Sequence, residues 1–125
     1  MSRETITAYF EAINAERWED FRALLTDDVI YQTTGARPRS GRDVVVDYFG
    51  GLFAAWREHD DRPVTFILDG DAAAVEVHFV GVSLKGLPIE FDAVDIFKFR
   101  EGRIAFFQTW YDLGAVRKLL ELEPA

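Results

Sequence analysis

Apolar positions near the start of the chain recur every three or four residues. Ile6, Tyr9, Phe10 and Ile13 predict a first helix with one buried face, and Trp18, Phe21, Leu24 and Leu25 predict a shorter second one. Asn14-Ala15-Glu16 reads as the corner between them. Asp27-Asp28 closes the second helix, and Val29-Ile30-Tyr31 reads as a short strand. The stretch from Thr33 to Arg39 has the composition of a loop. Ser40 as a cap and Asp43 in the first turn open a third helix. Its apolar stripe runs through Val45, Tyr48, Phe49, Leu52 and Phe53 to Trp56. Gly50-Gly51 interrupts that stripe, at a cost of about 1 kcal/mol each relative to Ala, and predicts close packing or a kink.

After the charged run Arg57 to Asp61 the period changes to that of strands. Val64–Leu68 and Ala73–Val80 flank the turn Asp69-Gly70-Asp71. Ile89-Glu90-Phe91 leads into Val94–Phe99, and the dipeptide Glu101-Gly102 joins that run to a last strand from Ile104 to Tyr111. Asp112 can cap a short closing helix with Leu113, Val116, Leu119 and Leu120. Helices first and strands afterwards mean an α+β chain, and 125 residues mean one domain, residues 1–125. The last strand is apolar on both faces, with Ile104 and Phe106 on one and Ala105 and Phe107 on the other. One face therefore meets the helices, and the other is expected to meet a second copy in a homodimer.

The chain is 49% hydrophobic, enough for a core, with eleven Phe, four Tyr and three Trp. A net charge of −8 argues against nucleic acid or anionic lipid as partners. No cysteine is present, so thiolate chemistry and Cys-based metal sites are excluded. His59 and His78 show no ligand spacing, and Asp27-Asp28 and Asp60-Asp61 read as turn acids; no metal or organic cofactor is expected. Met1-Ser2-Arg3-Glu4 enters an amphipathic pattern rather than an apolar leader, and no apolar run has membrane-spanning length. A cytoplasmic protein is expected.

Asp95 breaks the pattern. It lies between Val94 and Ile96 in an apolar strand, where a charge is costly to bury. It is either paired, or protonated and used. Two segments around these features resemble the SnoaL-like and ketosteroid-isomerase-like branch of the nuclear transport factor two-like superfamily. One is Tyr9–Ala15 through Leu24–Val29 to Arg39-Ser40-Gly41-Arg42; the other is Val94–Phe99 through Gly102-Arg103-Ile104. The resemblance implies a cone: a strongly curved antiparallel sheet wrapped over three N-terminal helices, with a short C-terminal helix and a deep apolar pocket. That fold hosts isomerases, cyclases, epoxide hydrolases and plain binders.

By resemblance, Asp95 falls where the isomerases place a protonated aspartate of the oxyanion hole, and Tyr9 where they place its companion tyrosine. The isomerase base position carries Thr33, which cannot abstract a carbon-bound proton. Glu76 and His78 stand about where limonene epoxide hydrolase has an arginine and an aspartate, and Thr109 where the hydrolase and the cyclases have a working aspartate. His78 and Glu76 share strand parity, so they form an oriented base if their face is the pocket, and a polar outer stripe if it is not. Thr109, Phe107 and Tyr111 share parity and are expected to line the pocket with Thr33, Glu76 and Trp56. The resulting expectation is a pocket for a hydrophobic small molecule. Either Asp95, Tyr9 and His78 perform proton transfer on an apolar carbonyl compound, or the pocket binds without turnover; a dimeric interaction module is the remaining alternative.

Overall fold

A computed structural model describes residues 2–123. The N-terminal apolar period forms helix α1 (Ser2–Asn14), which buries Ile6, Tyr9, Phe10, Ala12 and Ile13. Helix α2 (Trp18–Ala23) turns back and buries Phe21. Strand β1 (Leu25–Thr33) begins earlier than expected, and Asp27 and Asp28 stand exposed on it instead of closing the helix. Leu25 and Val29 on either side are fully buried, which fixes that stretch to the sheet. The expected loop contains a two-residue strand, β2 (Arg39–Ser40), so Ser40 is not a cap; Gly41, at φ 99°, is the residue before helix α3 (Arg42–Ala54).

Helix α3 is unbroken across Gly50 and Gly51. A Cβ added at either would meet no neighbour within 4 Å, so the pair marks neither close packing nor a kink. The helix stops short of Trp56, which starts the long strand β3 (Trp56–Asp69). The run Arg57–Asp61 is thus strand and not turn. Strands β4 (Ala72–Ser83), β5 (Pro88–Arg100) and β6 (Arg103–Tyr111) follow, then helix α4 (Leu113–Glu121), whose Ala115 amide donates to the Asp112 carboxylate at 3.0 Å, the expected cap.

The six strands form one curved, unclosed sheet in the order β2-β1-β6-β5-β4-β3. It is mixed and not wholly antiparallel, because β1 runs parallel to β6. The chain enters with β1, next to the edge strand β2, crosses through α3 to the other edge at β3, and meanders back, and a parallel pair requires such a crossover. Among the described residues five glycines lie at positive φ, Gly102 among them, and Gly81 is held by close packing. Glu101 (φ 53°) and Gly102 (φ 79°) make the doubly left-handed turn that the β5–β6 twist favours. At Gly81 a Cβ would stand 2.8 Å from the Glu58 carbonyl oxygen, so β3 can cross close over β4 there.

The concave face of the sheet and the three N-terminal helices enclose the core. Tyr9 is its hub, with ring centroids of Phe10, Phe21, Phe49, Phe97 and Phe107 within 6.4 Å. Phe97 and Phe107 are direct cross-strand partners, 6.0 Å apart and nearly parallel. Such pairs add about 0.5–1.5 kcal/mol beyond the area they bury. Among the described residues no helix is long and apolar enough to cross a membrane.

Candidate functional site

A cavity of about 190 Å³ opens between the concave sheet face, α3 and α4. Its wall is aromatic: Tyr9, Tyr31, Tyr48, Phe49, Phe53, Trp56, Phe79, Phe91 and Tyr111 border it. Four of these form a row across neighbouring strands. Trp56 lies 4.7 Å from Phe79, Phe79 stacks 4.6 Å from Phe91, and Phe91 lies 5.6 Å from Tyr111. The row arises from alternation, since Phe79 and Phe91 are register partners on the face that points inward. Val116 and Leu120 of α4 complete the rim.

Asp95 reaches this cavity from the middle of β5 and is 5% exposed. Its Oδ1 has no hydrogen-bond partner. Burial pushes its pKa up to about 7, and the hydroxyl of Thr109, its direct partner across the ladder, pulls in the opposite direction. Thr109 in turn accepts a hydrogen bond from the Tyr31 hydroxyl at 2.8 Å. Tyr31 and Thr109 therefore form a short polar chain that ends at the Asp95 carboxyl. Tyr9 is 2% exposed and borders the cavity, with its pKa raised by burial and then by the charge of Asp95.

A second carboxyl joins them. Asp61, on β3, lines the same cavity, and its pKa is pushed up to about 8 by burial first and by the charge of Asp95 second. Its backbone is clamped by Asn14 at the end of α1: the Asn14 amide donates to the Asp61 carbonyl at 2.9 Å, and the Asp61 N–H donates to Asn14 Oδ1 at 2.8 Å. Asn14→Ala would leave both backbone groups without their partner; a loss of about 1–3 kcal/mol in urea unfolding is expected. An unchanged midpoint would show that water substitutes for both bonds.

The other sequence-derived candidates divide by strand face. Thr33, Thr109, Tyr111 and Trp56 border the cavity; Trp56 does so from the start of β3 and not from α3. Phe107 does not border it. Its ring is fully buried below, packed on Tyr31 at 4.5 Å and on Tyr9 at 5.7 Å. His78 and Glu76 are not brought to the cavity either. On β4 the inward positions are Val75, Val77 and Phe79, so Glu76 and His78 stand on the outer face. There His78 Nδ1 meets Asp92 at 2.8 Å and Nε2 meets Glu90 at 3.4 Å, and these carboxylates raise its pKa. An imidazole bonded to surface acids, on the far side of the sheet, has no route to a ligand in the cavity.

Asp61 is the functional candidate that sequence reasoning passed over. It follows Asp60 in a run of charges with no alternation, which reads as a solvated turn. Its one local signal is parity with His59, whose side chain is buried, at 5% exposure. Among the described residues, no group of three or more His, Cys, Asp or Glu is placed to hold a metal ion. Chemically, the cavity offers two carboxyls that ionise near neutrality, phenolic donors and an apolar wall. Like charges in one apolar enclosure resist double ionisation, so the charge on Asp95 raises the pH at which Asp61 gives up its proton.

A SnoaL-like domain profile matches residues 6–107. No curated protein matches the chain in sequence. Solved structures do match in fold. A polyketide cyclase-like protein from Xanthomonas campestris pv. campestris superposes with a TM-score of 0.89 at 19% identity, over 96% of each chain. A protein of ketosteroid isomerase-like fold from Catenulispora acidiphila DSM 44928, in complex with trimethylamine, does so with 0.87 at 18% identity, over 98% of this chain and 95% of that one. An epoxide hydrolase from M. tuberculosis gives 0.80 at 20% identity, over 94% and 86%. At these identities the superpositions establish architecture, while the profile spans most of the sequence: the chain belongs to the SnoaL-like domain family.

Proposed function

We propose that this protein catalyses proton transfer on a small, largely apolar carbonyl compound, with Asp95 as base and Asp61 as acid. One observation carries the reading: two aspartates that ionise near neutrality border one aromatic cavity, and one oxygen of Asp95 has no protein partner. A general acid–base pair works best when its pKa values lie near the working pH. Asp95 ionises first, because the Thr109 hydroxyl stabilises its carboxylate. Asp61 keeps its proton and serves as donor.

In the step proposed, the Asp95 carboxylate takes a proton from the carbon next to the carbonyl. The C–H electron pair becomes the C=C bond of an enolate, and the carbonyl oxygen gains the negative charge. That oxygen is met by the Asp61 hydroxyl and the Tyr9 phenol. A single negative charge moves from Asp95 to the ligand, so the cavity never holds two. Return of the proton from Asp95 to the same carbon gives exchange; return to another carbon gives isomerisation. The arrangement differs from the isomerase pattern in the place of the base, since Thr33 occupies the usual position and the second carboxyl comes from β3 instead. The volume lies below the roughly 300–1,000 Å³ of drug-sized sites, so the substrate is small.

The test is exchange of the α-protons of β-tetralone in deuterated buffer, followed by proton NMR. Protein-dependent exchange that disappears in Asp95→Asn supports the reading. Saturable binding of the ketone with no acceleration would turn it into a binding protein without turnover.

We also propose that the outer sheet face pairs two copies of the chain in the cytoplasm. Val64 and Trp110 are each more than half exposed there, next to Val94, and Ile67 on β3 is more than half exposed as well. Light scattering should give twice the chain mass; a monomer at micromolar concentration would refute it.

A further inference from the structure

We infer that the preferred occupant of the cavity carries a positive charge: a small alkyl- or arylammonium group, or an iminium, held between aromatic faces and the Asp61 and Asp95 carboxyls. Among the described residues, no Lys, Arg or His borders the cavity, although two aspartates do. A carboxylate in an apolar enclosure is stable only when paired or hydrogen-bonded, and Asp95 Oδ1 is neither. The remaining surface is ring faces, among them Tyr9, Tyr31, Trp56 and Phe79. Aromatic faces attract cations, and more strongly when the contact is desolvated.

A neutral ligand can at most donate a hydrogen bond to the Asp95 oxygen and leaves its charge uncompensated, and an anionic one is repelled by the carboxyls. A hydrophobic cation meets both needs at once, the carboxylate by charge and the rings by their quadrupole. The inference rests on the proposed function only in taking both carboxyls as groups of the cavity wall. Joined to the proton-transfer step, it narrows the substrate from any small ketone to one bearing an ammonium nitrogen, or to an iminium whose α-proton Asp95 removes to leave a neutral enamine.

The test uses choline and neohexyl alcohol, in which a carbon replaces the quaternary nitrogen, titrated calorimetrically into the whole protein. At about pH 8.5 choline is expected to bind about tenfold tighter than its neutral counterpart or better. Its affinity should fall about tenfold or more by pH 6, as the carboxyls take up protons. Near pH 7.5, comparison of buffers with different ionisation heats should show proton release on choline binding and none with the alcohol. Asp61→Asn and Asp95→Asn, which keep the cavity shape, should each shrink the choline preference. Equal binding of the two probes, tighter binding of the alcohol, or no binding of choline would overturn the inference. If that happens while Asp95-dependent exchange of β-tetralone persists, the proton-transfer reading stands alone. A choline preference without ketone exchange gives the reverse separation.

Discussion

Raising the pH from about 6 to about 9 is expected to cost this protein about 4 kcal/mol of stability through Asp61 and Asp95 alone. In the unfolded chain both ionise near 3.9. In the folded protein burial raises Asp95 to about 7 and Asp61 to about 8. The folded state therefore keeps protons that the unfolded state has released. A carboxyl shifted upward favours the folded state fully below its unfolded pKa, and that contribution disappears as pH rises through the folded value. The loss falls between about pH 4 and 8, with its alkaline part free of ordinary acid unfolding. His78, raised by Asp92 and Glu90, changes stability in the same direction, but it is a surface group present in every variant compared. Urea unfolding of the wild type and of the Asp61→Asn, Asp95→Asn double variant separates the two sources. The wild-type curve should drop steeply above pH 6, the variant should stay nearly flat, and the variant should be the more stable protein at pH 9. Parallel curves would mean that neither carboxyl is shifted.

The second large effect concerns catalysis. Removal of a positioned general base costs about a hundredfold or more in rate. Asp95→Asn should therefore lower β-tetralone exchange by at least about that factor, since an amide cannot accept the proton. Asp61→Asn should be milder, about tenfold, because its amide N–H still donates to the ligand oxygen. The pH profiles should differ in kind. Wild type needs Asp95 ionised and Asp61 protonated, so its rate rises toward about pH 7 and declines beyond about pH 8. Asp61→Asn removes the alkaline limb and leaves a plateau. His78→Ala should change nothing, because His78 stands on the outer face with Asp92 and Glu90. A profile unmoved by Asp61→Asn, or a collapse in His78→Ala, would contradict these assignments.

The elements that could be read from the sequence are those with a local cause. The Glu101-Gly102 hairpin follows from turn stereochemistry, the Asp112 cap from side-chain reach, and the α1 face from the spacing of Ile6, Tyr9, Phe10 and Ile13. Asp95 was visible because a carboxyl among β-branched and aromatic neighbours breaks an otherwise apolar strand. What escaped depends on distant partners. Asp61 sits in a polar run with no alternation, and only the path of β3 along the cavity and the clasp of Asn14, 47 residues away, make it a half-buried group of the cavity wall. The parity shared by Glu76 and His78 was readable, but which side of β4 faces inward is decided by the stacking of Phe79 on Phe91 from the next strand. The same holds for β1, whose parallel pairing with β6 joins Thr33 to Thr109.

The proposed chemistry requires Asp61 and Asp95 to share a proton near neutrality in one cavity. Titration of the aspartate carboxyl carbons by NMR measures it directly, with Asp61→Asn and Asp95→Asn for assignment. Two carboxyl signals should titrate in separate steps near pH 7 and pH 8, with the Asp61 step moving to lower pH when Asp95 is replaced. If every aspartate titrates near its ordinary value, about 4, or if replacing Asp95 leaves the Asp61 step in place, the pair does not exist and the proposed chemistry falls with it.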